Sequence, residues 1–200
     1  MNSPEPRSSG DPTPESLPDG AVSGVGPDSP LTQSQQEIAQ HVVDCLGQVR
    51  QLIEDGERDA RGRLSAIVMY RSLEGVNDAP AEMHGFLQAY DGDVVEEAAV
   101  AREFLVNHSV DFSVGALITE VTMPLNGKPE HVLQFEGYSY ALEDSLRFAQ
   151  PFTPPRRGGF LRSARPLEFI SDLVALGPVP EDLPGLPGGP KAPNLKPLNL

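Results

Sequence analysis

Cysteine is almost absent from the chain. The single Cys45 excludes an intramolecular disulfide and a Cys-rich zinc site. It sits within a helical pattern, where the expected role is a small buried apolar group rather than a reactive thiol. Aromatic residues are few and bunched, with eight Phe, four Tyr and no Trp, all between Tyr70 and Phe169. Nowhere do about 18 apolar residues run together, so no transmembrane helix is expected. The N-terminus shows no basic start followed by an apolar run, and a cytoplasmic, reducing home follows as the expectation. Positive charge is short as well: 15 Lys and Arg stand against 29 Asp and Glu, a net charge of −14. Such a surface repels phosphate backbones and argues against nucleic acid as a partner.

Sequence motifs of catalysis are missing too. There is no G-x-S-x-G, no H-E-x-x-H, and no phosphate-cradling G-x-x-x-x-G-K-[ST] or G-x-G-x-x-G. DGDVVEE (91–97) resembles a calcium loop only at its start. It lacks the third acid, the glycine at position six and the glutamate at position twelve. No cofactor is expected from these residues.

What the chain does have is sharply zoned. Of its 21 prolines, seven fall within residues 1–30 and seven within 176–200. Residues 1–30 and 177–200 therefore read as disordered Pro/Gly-rich termini, since they offer too little apolar surface to offset backbone ordering, about 1–2 kcal/mol per residue. The remaining stretch, 31–176, is long enough for one domain with one core. It opens with a helix whose Ile38, Val42, Cys45, Leu46, Val49, Leu52 and Ile53 form one stripe, capped by Thr32 or Ser34. His41 lies beside that stripe. LSAIVMYRS (64–72) is apolar on both faces, as a central strand is, and EMHGFLQAY (82–90) alternates as a second strand. A helix follows at 93–107, with Asp93 and Glu96 spaced as a capping box.

Residues 113–123 and 131–140 read as two strands joined through Asn126-Gly127, the strongest short hairpin signal in the chain. With those two residues in the turn, Ile118 faces Phe135, Glu120 faces Leu133, Val121 faces Val132 and Thr122 faces His131. A strand at 146–152 and a closing helix at 166–176 complete the order α-β-β-α-β-β-β-α. The class is α+β, a single domain with a mostly antiparallel sheet packed by helices.

The hairpin register supplies the first candidate site. Glu120 and His131 share a face as diagonal neighbours, about 7–8 Å apart at the backbone and within side-chain reach. A carboxylate orienting an imidazole is an acid/base unit; Glu130 falls on the other face. The plain alternative is a polar end to a core strand. His84 with Glu82, and His108 with Asp111, are partial metal sets, but neither spacing completes three ligands. His108 follows a helix, where it can bind terminal carbonyls. No metal is expected.

Interaction features stand out more clearly. Between Ser145 and Leu167 lie five arginines and no acid. Arg156, Arg157, Arg162 and Arg165 form a partner-binding candidate for an acidic protein segment, or for the acidic body or tail of the same chain, with self-contact favoured. Pro184, Pro187, Pro190 and Pro193 recur every third residue, as on one face of a polyproline II helix. The functional expectation is a small accessory or binding module making protein–protein contacts without catalytic chemistry. The alternatives are a hydrolase-like or metal-assisted enzyme using Glu120 and His131, and a homo-oligomer assembled through the first helix.

Overall fold

The computed structural model describes residues 30–57, 62–73, 83–87, 93–125, 128–156, 163 and 165–192. Residues 1–29 and 193–200, where disorder is expected from composition, lie outside the described residues, as do Asn126 and Gly127.

Helix α1 runs Gln33–Asp55. Thr32 caps it: its Oγ1 accepts from Gln35 N at 3.2 Å, and the Gln35 side chain accepts from Thr32 N at 3.2 Å. The apolar stripe is spent inside the molecule. Ile38, Val42, Cys45, Val49 and Ile53 are all buried against Ile67, Met69, Ala116, Ile118, Leu133 and Phe135 of the sheet. Each such side chain contributes roughly 1.5–3 kcal/mol on full burial. That leaves α1 no apolar stripe for a partner helix. At Gly137 the helix lies so close that a Cβ would overlap Ile38 Cγ2.

Among the described residues seven strands make the sheet: β1 Ile67–Ser72, β2 Met83–Leu87, β3 Phe112–Leu125, β4 Lys128–Ser139, β5 Ser145–Thr153, β6 Glu168–Phe169 and β7 Val174–Gly177. Every pairing is antiparallel, in the order β2-β1-β3-β4-β5-β6, with β7 also on β5. The β3–β4 register is the one the Asn-Gly turn dictates, with Ile118 on Phe135, Glu120 on Leu133 and Thr122 on His131. It continues through Pro124 opposite Pro129 to Leu125 opposite Lys128. Helix α2, Val94–Asn107, covers the other face, capped by Asp93, whose Oδ1 accepts from Val95 N and Glu96 N, each at 2.9 Å. Ala98, Ala101 and Leu105 pack there on Ala66, Val68, Phe112, Leu117 and Tyr138. The fold is thus α+β, an antiparallel sheet with one helix on each face.

Two expectations fail at the C-terminal side. The closing helix at 166–176 is replaced by β6 and β7, both laid on the free edge of β5. An open strand edge offers a row of unpaired N–H and C=O groups, and the β-branched Ile170 and Val174 suit a strand as well as a helix. Residues 177–192 are not a disordered tail. They run across α2 as successive turns, with Leu183 N donating to Pro180 O, Leu186 N to Leu183 O and Gly189 N to Leu186 O. Val179 is buried, and Leu183 and Leu186 pack with the α2 layer. At Pro184, Pro187 and Pro190 the three-residue spacing is turn chemistry rather than polyproline II, and Pro193 lies outside the described residues. Pro184 and Gly185 occupy the centre of one turn, Gly185 with φ +90°, as a type II turn requires. Proline lowers the entropy lost on ordering such a segment, so a Pro-rich stretch with three well-placed apolar side chains can dock.

Candidate functional site

The Glu120–His131 pair forms, but in a setting that leaves little chemistry free. His131 Nδ1 lies 3.7 Å from Glu120 Oε1. The Glu120 side chain is 10% exposed and that of His131 52%. The second Glu120 oxygen, Oε2, accepts the Leu64 backbone N–H at 3.1 Å, so the carboxylate pins the strand entry to β3. The His131 ring stands 6.0 Å from that of Phe152.

The other sequence candidates do not converge on it. His84 lies on β2 opposite Tyr70, four strands away from β5, and its side chain is outside the described residues. His108 is the C-cap of α2, and its Nδ1 is 3.1 Å from Asp111 Oδ2 with both side chains about half exposed. Its ring lies 4.5 Å from that of Phe104 on the preceding turn, tilted by 37°. Among the described residues no three His, Cys, Asp or Glu side chains gather around one point where a metal ion could sit.

The strongest polar constellation is one the sequence reading passed over. Arg102 of α2 forks onto Glu136 of β4: Nε donates to Oε2 and Nη2 to Oε1, each at 2.7 Å. Tyr138 OH donates to Oε2 at 2.8 Å, Gln134 Nε2 to Oε1 at 3.2 Å, and Arg102 Nη1 to Pro184 O at 3.1 Å. Arg102, Glu136 and Tyr138 are all buried. Burial acts to lower the Arg102 pKa, but the Glu136 carboxylate outweighs it and holds the guanidinium above its ordinary value. Burial, together with the Glu136 charge, pushes the Tyr138 phenol well up. This network locks helix, sheet and C-terminal segment together, with every Glu136 oxygen already occupied. A signal was legible in the chain: Glu136 interrupts an apolar strand on the same face as Val132 and Tyr138. A second buried carboxylate, Glu97, behaves similarly, accepting from Arg63 Nη2 at 3.0 Å and from Ala66 N at 3.1 Å.

His41, beside the apolar stripe in the sequence, lies within the core. It is fully buried, with Nε2 3.3 Å from Met69 O and 3.6 Å from Cys45 Sγ, while Nδ1 has no partner. Burial lowers its pKa. The same burial, with the neighbouring Asp44 charge, pushes the Cys45 thiol up to about 12, and so the thiol is inert at neutral pH.

The arginine segment is held quite differently. Beyond Thr153 opposite Glu168, the β5–β6 pairing is resumed by a bridge in the same register, with Arg156 directly opposite Arg165. Each backbone N–H donates to the other's carbonyl, at 2.8 and 2.9 Å. Both arginines are exposed, and neither forms an ion pair with a described carboxylate. The favoured self-contact with the acidic body is therefore not made by these two; Arg157 and Arg162 lie outside the described residues. Like charges directly opposite across a ladder are destabilising, so nothing in the fold itself calls for this pair.

Two open clefts lie among the described residues. One, of about 450 Å³, lies between the turn after β4 and the C-terminal segment; the other, of about 510 Å³, lies beside Arg71, Ser113 and Glu37. Beside the first, Ala141 and Leu142 both take left-handed conformations, φ 51° and 61°, in a 3-10 turn spanning Tyr140–Leu142. No described helix is long and apolar enough to cross a membrane. Comparison with protein-family models, curated proteins and solved structures finds no match.

Proposed function

We propose that the chain is a small cytoplasmic accessory module that binds an acidic segment of a protein partner through its arginine-bearing β5–β6 extension and carries out no reaction of its own. The observation that carries this reading is the Arg156–Arg165 bridge. Two exposed arginines sit directly opposite each other, neither paired with a described carboxylate, on a chain whose net charge is −14. A hydrogen-bonded antiparallel pair sets Cα atoms about 5.5 Å apart, which suits both side chains to one carboxylate-rich ligand. Arginine in such a pair makes charge-assisted, forked hydrogen bonds that are about twice as strong as neutral ones. Arg157 and Arg162 belong to the same segment and are included in the reading as further contacts. The non-catalytic half of the proposal is supported by what surrounds the other polar groups. Glu120, Glu97 and Glu136 each hold backbone or arginine donors, and Cys45 is buried.

Fluorescence anisotropy with a labelled oligo-glutamate peptide tests the reading on the intact chain. The peptide binds at low salt, and replacing Arg156 and Arg165 together with Glu weakens binding at least about tenfold, the scale of losing one strong charge-assisted contact. Absence of binding, or binding unchanged by the two substitutions, refutes it. A single-stranded nucleic acid of equal charge serves as the contrast: tighter binding of that probe would make the acidic-protein reading wrong.

A further inference from the structure

The first cleft and the arginine bridge are complementary in charge and lie at opposite ends of the same strand. Leu142, Val179 and Leu186 give the cleft an apolar lining, and Glu143, Asp144 and Glu181 stand around it. Glu143 and Glu181 are exposed and form no ion pair, while Asp144 accepts from Thr32 Oγ1 at 3.2 Å. Arg147, two residues along β5 from Ser145 of the cleft, spends Nε on Pro178 O at 3.2 Å. A groove of this kind suits arginine, whose aliphatic stem lies on apolar surface while the guanidinium reaches the carboxylates. The chain carries such arginines, without a carboxylate partner among the described residues, at Arg156 and Arg165.

They cannot meet the cleft of their own molecule. The cleft is built around Ser145, the first residue of β5, and the arginines lie past its last residue, Thr153. Register is kept from Phe152 opposite Phe169 to Arg156 opposite Arg165, so the extension continues outward rather than turning back. At about 3.3 Å per residue, Ser145 and Arg156 are separated by roughly 35 Å.

From these placements we infer that the cleft receives the Arg156–Arg165 pair of a second copy, so that the chain associates head to tail. The inference deepens the proposed function and rests on its reading of the two arginines as a grip for carboxylates; it adds the identity of one acidic partner, this chain itself. The partner copy contributes the cations that the rim lacks, and the rim relieves the like-charge pair that each free chain carries. Because the contact joins two different patches, each added molecule leaves one cleft and one arginine pair open, and growth continues unless the rotation closes a ring. A contact of a few side chains buries less than a stable interface does, so association is weak, concentration-dependent and salt-sensitive.

Sedimentation velocity of the full chain provides the test. Mass rises with concentration from about 10 µM to about 500 µM in low salt and falls back to that of the monomer in about 0.5 M salt, where screening acts within a few ångströms. Two double variants, R156E/R165E and E143K/E181K, each remain monomeric at every concentration, with far-UV circular dichroism matching the parent. Mixed in equal amounts they form a dimer and nothing larger, because the first variant keeps only a cleft and the second only an arginine pair. A parent that stays monomeric at low salt, either variant still associating alone, or a mixture that stays monomeric overturns the inference. Oligo-glutamate binding separates this failure from that of the broader reading. Peptide binding by a strictly monomeric chain sinks the head-to-tail contact alone, whereas self-association without peptide binding sinks the general acidic-segment grip alone.

Discussion

Replacing Arg102 with Met asks how much the buried network contributes to the fold. The substitution keeps a linear side chain of comparable reach but removes both forked hydrogen bonds to Glu136 and the one to Pro184 O. Glu136 then stays buried with only Tyr138 OH and Gln134 Nε2 as donors. Breaking a buried pair from one side costs about 3–5 kcal/mol, because the remaining charge is left without compensation. The two surviving donors soften that cost and the lost Pro184 contact adds to it, so the net expectation is about 4 kcal/mol. With a urea slope of about 2 kcal/mol per M, the unfolding midpoint falls by about 2 M. The double replacement Arg102→Met with Glu136→Leu removes the stranded charge and leaves chiefly the Tyr138 hydroxyl without its acceptor, at about 1–3 kcal/mol. It is therefore more stable than Arg102→Met alone, with a coupling energy of about 2 kcal/mol or more. Equilibrium urea unfolding followed by far-UV circular dichroism measures all four corners of the cycle. A cost for Arg102→Met below about 1 kcal/mol, or strict additivity of the two changes, would refute the assignment of this network as the clamp between α2, β4 and the C-terminal segment.

Three further predictions concern buried or strained positions. His41 is neutral in the fold because burial lowers its pKa, whereas the unfolded chain binds a proton near pH 6.5. Its contribution is fully present above that pH and is lost as pH falls, at up to about 1.4 kcal/mol per pH unit; urea unfolding at neutral and mildly acidic pH shows a shallower loss for His41→Leu, and equal slopes would contradict this. Cys45, with its pKa pushed up to about 12, resists a chromogenic disulfide reagent in the folded chain and reacts on adding denaturant; stoichiometric labelling of the native protein within the first minute would contradict its burial. Gly185→Ala places a methyl group against the Ala99 carbonyl and forces alanine to φ +90°, costing about 2 kcal/mol or more and freeing the C-terminal segment to limited proteolysis; an unchanged melting temperature and cleavage pattern would show that the segment does not depend on this turn.

Most of the frame was legible because its signals are local. The α1 stripe, the Thr32 and Asp93 caps and the Asn-Gly hairpin each lie within one short window, and the hairpin register followed from two residues. The C-terminal third was not legible because its structure is decided elsewhere. Whether PLEFISDLVAL forms a helix or two short strands depends on the unpaired edge of β5, which no window of that sequence contains. The turn-rich segment after Gly177 likewise gains its order from an apolar patch on α2, with Leu183 and Leu186 supplying the contacts. Composition counted the prolines there as breakers, when in place they pre-set turns.

The candidate sites divide along the same line. Glu120 and His131 were brought together by register alone, yet what Glu120 does is set by the Leu64 amide, 56 residues away, which occupies one of its oxygens. Arg102 and Glu136 are 34 residues apart, on a helix and a strand whose facing could not be read from either element alone. In contrast, the arginine segment was visible as a composition change, and the fold adds the placement of two of its members, Arg156 opposite Arg165. A carboxylate buried in this protein is met by a backbone N–H or an arginine: Glu97 by Arg63 and Ala66, Glu136 by Arg102. Applied to Arg156 and Arg165, the same rule gives the opposite result. They are cations directly opposite each other in an acidic chain, and neither pairs with a described carboxylate, whereas Arg63, Arg71 and Arg102 each do. A fold that satisfies its buried ions so fully has no structural use for an exposed like-charge pair, which is why the missing partner is sought in another molecule.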